Sequence, residues 1–166
     1  MAMASGQVGI HPGEKNLALG LDPGRNKTGF AFVNLDGELL ITGIFSTAER
    51  DRFFDADDFS AWLTEGSQTK LNGRISFIFI GNGTGSKEFS AYVKSKVRGC
   101  QIVSVDESRT TLEARKLYWK IHKPGLLMRL LPESLRVPSR PLDDLAALAL
   151  TLRGLQACVS ESSSRV

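Results

Sequence analysis

The chain has 166 residues, 42% hydrophobic and 23% charged, with two cysteines and a net charge of +3. That composition fits one globular domain with short tails and excludes a disulfide-stapled scaffold. No apolar run is long enough to span a bilayer, so no membrane partner is expected, and the scarce cysteines suit a reducing, cytoplasmic setting.

Residues 1–16 read as a flexible leader. Leu17–Leu21 is an apolar strand that ends abruptly on Asp22; Pro23 and Gly24 turn the chain, and a second strand follows over Gly29–Asn34. A carboxylate at a strand end, before a turn rich in amides that carries Arg25 and Lys27, is placed to hold a metal ion or meet phosphate. The plainer reading is that Asp22 only starts a turn. Leu35-Asp36-Gly37-Glu38 reads as a hairpin into a third strand, Leu39–Phe45. Asp55 is positioned to cap a helix reaching about Glu65, with Phe59, Trp62 and Leu63 on its inner face. Ile75–Ile80 is nearly unbroken apolar sequence, as in a central strand covered on both faces.

Gly81–Ser86 then forms a loop, either a tight turn or a phosphate contact, without the Lys-Ser/Thr ending of a Walker loop. A helix is predicted over Lys87–Val97 and a buried strand over Ile102–Val105, which ends on Asp106-Glu107. Thr110 and Glu113 have capping-box spacing at the start of a helix to about Lys120. His122–Pro141 is proline-rich and basic, with one short helix near Leu126–Leu131. It serves either to steer nucleic acid or to bury Leu126, Leu127, Leu130 and Leu131 in a homodimer contact. The last helix begins at Leu142-Asp143-Asp144 and runs through Leu155, and 159–166 is expected to be a disordered tail. Trp62, Tyr118 and Trp119 fall in helical apolar patterns and read as core; His122 reads as an incidental loop histidine.

Charge is unevenly spread. Lys94–Arg140 holds 11 Lys/Arg against 4 Asp/Glu, and the remainder 10 against 14. A polyanionic partner, nucleic acid first, accounts for that asymmetry, with a solvated basic surface as the plain alternative.

Three early strands on short turns, then strands alternating with helices, predict an α/β fold: a five-stranded mixed sheet flanked by helices, its first strand near the centre. On such a sheet Asp22, Asp106-Glu107 and Asp143-Asp144 converge. Each acid after the first has a bland explanation as a helix-start residue facing the dipole. Gathered together they repel unless protons or cations neutralise them, and hard oxygen ligands suit Mg²⁺ or Mn²⁺.

At these residues the chain resembles the YqgF/RuvX family, Holliday-junction resolvases and ribosomal-RNA-processing nucleases of the RNase H-like superfamily. Leu19-Gly20-Leu21-Asp22-Pro23-Gly24-Arg25 with Thr28-Gly29 looks like its first motif, and Asp106-Glu107-Ser108-Arg109-Thr110-Thr111 like its second. Asp143-Asp144-Leu145-Ala146-Ala147 looks like its terminal helix. Arg109 lies one place later than in the commoner pattern, and the loop after the fourth strand departs from the usual Gly-Leu-Pro-like turn. The resemblance implies an RNase H-like nuclease domain over 17–158, with Asp22, Glu107 and Asp143 as catalytic and metal-binding carboxylates and Asp144 able to share the metal. Arg25, Lys27, Arg109, Arg115, Lys116 and Arg140 are the cations expected to contact branched DNA or structured RNA. Two other classes stand beside this reading. One is a non-catalytic nucleic-acid-binding module of the same fold. The other is an ATPase of the sugar-kinase and actin-like kind, which needs two such halves where this chain has room for one.

Overall fold

Six strands form one mixed sheet: β1 (Asn16–Pro23), β2 (Lys27–Asn34), β3 (Leu39–Ser46), β4 (Leu63–Glu65), β5 (Arg74–Gly81) and β6 (Gln101–Val105). Their order across the sheet is β4-β3-β2-β1-β5-β6. The first four pair antiparallel, whereas β5 and β6 run parallel to β1. The structure is a computed structural model and describes residues 15–66, 70–108, 110–132 and 135–163. The expected leader thus lies almost wholly outside the described residues, and Arg109 lies outside them too.

Alternation along the strands sorts the core into two layers. Leu19, Leu21, Phe30, Phe32, Ile78 and Ile80 point to one face and pack with Phe45, Phe53, Phe59 and Trp62. Against this layer lie α1 (Arg50–Phe54) and α2 (Ser86–Lys96). Ala18, Ala31, Val33 and Phe79 point to the other face, which α3 (Thr110–Ile121) and the long α5 (Asp143–Ser163) cover.

Small residues on that second face bring α5 down onto the backbone of the sheet. A Cβ on Gly20 would stand 1.7 Å from Thr151 Oγ1, and one on Gly29 would stand 2.0 Å from the carbonyl oxygen of Asp143. On the helix side, a Cβ on Gly154 would meet the Phe79 ring at 2.3 Å. The helix is therefore seated by close approach, and its first residue is fixed against β2.

The central position of β1 and the 35–38 hairpin agree with expectation. In the hairpin, Gly37 adopts φ of +85°, and the Asn34 and Glu38 side chains bond across the turn. The strand count is six rather than five because 55–65 is not a helix. After α1 ends at Phe54, the Asp58 carboxylate accepts the Ser60 amide at 2.8 Å, and a single 3-10 turn over Ser60–Trp62 carries Trp62 into the core. Phe59 and Trp62 reach the core from this turn, and Leu63–Glu65 satisfies its backbone by pairing with β3. Their helical spacing is real, but edge-strand pairing wins.

Two further differences concern helix ends. Thr110 Oγ1 donates to the Glu107 carbonyl at 2.7 Å and the Glu113 carboxylate pairs with Arg153, so neither side chain serves the expected capping box. The last helix continues to Ser163, past residue 159 where a disordered tail was expected to start. Between α3 and α5 lies the short α4 (Leu126–Arg129), near which Leu126, Leu127 and Leu130 are 87%, 84% and 83% exposed.

Candidate functional site

Asp22 shares its strand face with Ala18 and Gly20, so the period of β1 aims it at the side covered by α5. Its partner across the ladder is Gly29, the residue on which the backbone of Asp143 rests. Register and close helix approach together put the first carboxylate beside the start of α5.

Glu107 arrives from the other direction. It follows β6, and β5 separates that strand from β1, so the two strand ends flank β5 rather than adjoin. The residue between them is Gly81. A Cβ there would stand 2.7 Å from Glu107 Oε2 and 3.6 Å from Asp22 Oδ1, so the missing side chain is the space the two carboxylates share. Gly83 clears the other side, since its Cβ would lie 1.9 Å from Glu107 Oε1.

Several bonds fix the loop carrying Glu107. The Glu107 amide donates to Asn82 Oδ1 at 3.2 Å, and the Asn82 amide to the Val105 carbonyl at 3.1 Å. Arg153 Nη1 donates to the carbonyls of Asp106 and, at 3.0 Å, Ser108. Asp106 itself turns outward, and the Ser108 hydroxyl, then its amide, hold that carboxylate below the ordinary range. Its neighbour Glu107 is the member of the pair that enters the site.

The electrostatics show how these groups are coupled. Burial pushes the Asp22 pKa from 3.8 up to about 6, with the charges of Glu107 and then Asp143 adding to the rise. Both other carboxylates thus act on Asp22. Among the described residues, however, no three acidic, histidine or cysteine groups are gathered closely enough to hold an ion between them. Asp143 is instead paired with Lys27, whose Nζ lies 2.7 Å from its Oδ2.

Asp143 and Asp144, adjacent on the helix, have opposite surroundings. The Asp143 side chain is 28% exposed beside Lys27, whereas that of Asp144 is wholly buried. Asp144 Oδ1 accepts Arg140 Nη1 at 2.8 Å; its other oxygen accepts Thr42 Oγ1 at 3.1 Å and the Thr64 hydroxyl. Arg140 Nη2 continues to Glu65 at 3.0 Å, where His122 Nε2 also bonds at 2.5 Å. This closed network ties β3, β4 and the end of α3 to the start of α5. Its saturated partners occupy Asp144 and Arg140, so neither faces the other carboxylates.

Of the remaining cations, Arg25 is exposed on the turn after β1, where its carbonyl accepts Thr47 Oγ1 at 3.4 Å. Arg115 and Lys116 are exposed on α3. Trp62 and Tyr118 are buried as expected, and His122 is a network member away from Asp22. Gly81 and Gly83 were legible only as a turn or a phosphate loop; the paired glycines were the available signal. The anchoring roles of Asn82 and Arg153 had none.

The donor set itself is suited to a hard divalent cation. Asp22 and Glu107 share the space that Gly81 leaves clear, the partial burial of Asp22 raises the cost of leaving their charge unbalanced, and Asp143 adds to that charge from its ion pair with Lys27.

No family model matches the chain, and no curated protein matches it. Among solved structures it is similar to Thermus thermophilus RuvC in complex with a Holliday junction substrate, at 14% identity and a TM-score of 0.43, covering 86% of this chain and 95% of that one. It is similar also to a Thermus thermophilus RuvC structure at 15% identity and a TM-score of 0.44, covering 87% and 96% respectively.

Proposed function

We propose that this chain is an RNase H-like, metal-dependent nuclease that hydrolyses phosphodiester bonds in structured nucleic acid, of the kind the YqgF/RuvX family represents. The observation carrying the proposal is the half-buried Asp22 beside the space left by Gly81, its pKa raised to about 6 by desolvation and then by Glu107 and Asp143. Such a carboxylate is destabilised when charged unless a cation balances it.

Asp22 and Glu107 would hold Mg²⁺ or Mn²⁺ across the space that Gly81 leaves, and Asp143 would complete the set once Lys27 moves aside. When bound, such ions activate a water and stabilise the leaving oxygen of an in-line displacement. The chain supplies the rest. Arg25 and Lys27, beside Asp22, hold backbone phosphate, and Arg115 extends the contact along α3. Asp144 and Arg140 act as positioning residues that set the start of α5 and hence Asp143. Because phosphate contacts dominate, binding falls steeply as salt rises.

A panel of four-way DNA junctions, duplex DNA and precursor ribosomal RNA, each with Mg²⁺ and Mn²⁺, tests the reaction and selects the substrate. Cleavage by the wild type and its loss in Asp22→Asn are expected. Wild-type-level cleavage by that variant, with contaminating nuclease excluded, would sink the assignment. The second reading, a binding module without chemistry, draws on one observation: the Lys27 ammonium already neutralises Asp143. Tight binding to the panel with no cleavage under either ion selects it. A homodimer contact through Leu126, Leu127 and Leu130 is tested by light scattering of the intact chain, where a monomeric mass at all concentrations rejects it.

A further inference from the structure

Helices α3 and α5 enclose a groove of about 570 Å³, within the range of small-molecule sites. Glu113, Lys116, Leu117 and Lys120 form one helical stripe on its α3 wall, and Leu152 and Arg153 line the facing wall on α5. Leucines from both helices make the floor, and cations make the rim. Lys116 and Lys120 stand one turn apart with no ion-pair partner among the described residues, an arrangement of like charges that costs stability until an anion bridges it. The single acid on the wall, Glu113, is occupied by Arg153 Nη2 at 2.8 Å.

Arg153 also connects the groove to the candidate site. While Nη2 holds Glu113, Nη1 donates to the carbonyls of Asp106 and Ser108, on either side of Glu107. An anion that draws this guanidinium toward Lys116 and Lys120 therefore pulls on the loop that positions Glu107.

We propose that the α3–α5 groove binds a small amphipathic anion, a flat apolar body carrying a carboxylate or phosphate, and that Arg153 couples its occupation to the Glu107 loop. The binding part stands independently of any nuclease activity. Leu117 and Leu152 receive the body, Lys116 and Lys120 take the anionic end, and the site contributes nothing to substrates without such an end.

NMR titration of the full chain tests this with two anionic probes, 2-naphthoate and adenosine 5′-monophosphate, against neutral 2-naphthamide and inorganic phosphate. The expected result is saturable shifts at the Leu117 and Leu152 methyls, accompanied by shifts at the amides of Asp106–Ser108, for at least one anionic probe. Which probe saturates separates an aromatic carboxylate from a nucleotide source. Both controls should bind at least about tenfold more weakly, because each lacks half of the recognition. Lys120→Glu, at an exposed position, should weaken binding about tenfold or more, and Lys120→Arg should retain it. The proposal is overturned if neither anion binds, if the neutral body binds equally well, or if Lys120→Glu has no effect. Shifts centred on Leu126, Leu127 and Leu130, or full displacement of the probe by a four-way junction, overturn it equally, the last by making the groove part of a nucleic-acid interface.

Discussion

Replacing Asp22 with Asn keeps the shape of the side chain and removes its charge, which should stabilise the protein. In the folded chain the Asp22 pKa is raised from 3.8 to about 6, by burial first and by Glu107 and Asp143 next. A shift of that size is worth about 3 kcal/mol between the two protonation states. Between those two values the folded protein binds the proton more tightly than the unfolded chain, so this group's contribution is full below pH 3.8 and is lost as pH rises through 6. The variant carries no such loss. Its advantage over wild type should grow from about zero near pH 4 to as much as about 3 kcal/mol above pH 7, residual hydration of the site making this an upper bound. Urea unfolding at stepped pH, with divalent ions chelated, measures the difference directly. Adding Mg²⁺ at neutral pH should then stabilise wild type and leave the variant unmoved. Parallel stability curves across the whole range, or a variant less stable than wild type above pH 7, would refute the raised pKa of Asp22.

Other perturbations probe the same architecture. Gly83→Ala puts a methyl on the mobile end of Glu107, so stability should change by no more than about 0.5 kcal/mol while cleavage falls at least about tenfold. Gly29→Ala meets the Asp143 backbone instead and should cost about 1–3 kcal/mol; equal unfolding free energies for the two variants would contradict the assigned contacts. Lys27→Met frees Asp143 and should tighten Mn²⁺ binding about fivefold by direct titration, the equivalent of about 1 kcal/mol for a partly exposed ion pair. An unchanged affinity would mean that Lys27 does not compete for the site. Arg140→Met strands the buried Asp144 charge and should destabilise by about 3–5 kcal/mol in thermal unfolding, whereas a loss below about 1 kcal/mol would dissolve the network.

The sequence made the sheet legible where one element met one pattern. The apolar run ending on Asp22, the Asp-Gly hairpin and the unbroken 75–80 strand each needed only local rules. The 55–65 segment misled because Phe59, Trp62 and Leu63 have helical spacing, yet a turn presents two of them to the core and a three-residue edge strand takes the backbone. For Asp143 and Asp144, sequence places two acids at a helix start without saying which turns inward. That depends on Thr42 and Thr64, far away in the chain. Arg140 had the charge expected of a phosphate contact, but its i, i+4 spacing to Asp144 gave it a different partner. The clearance made by Gly81 and Gly83 was hidden for a similar reason: its purpose is visible only once β6 delivers Glu107 above them.

The seating of α5 on Gly20 and Gly29 also bears on how the protein is made. The amino-terminal hairpin holds Asp22, and the residue that rests against it comes from position 143, so this contact is among the most distant in sequence that the fold contains. Long-range contacts form late, and chains fold from the amino terminus as they are synthesised. A nascent chain thus carries Asp22 for most of its synthesis without the third carboxylate. The three carboxylates therefore come under one another's influence only when α5 docks onto Gly20 and Gly29.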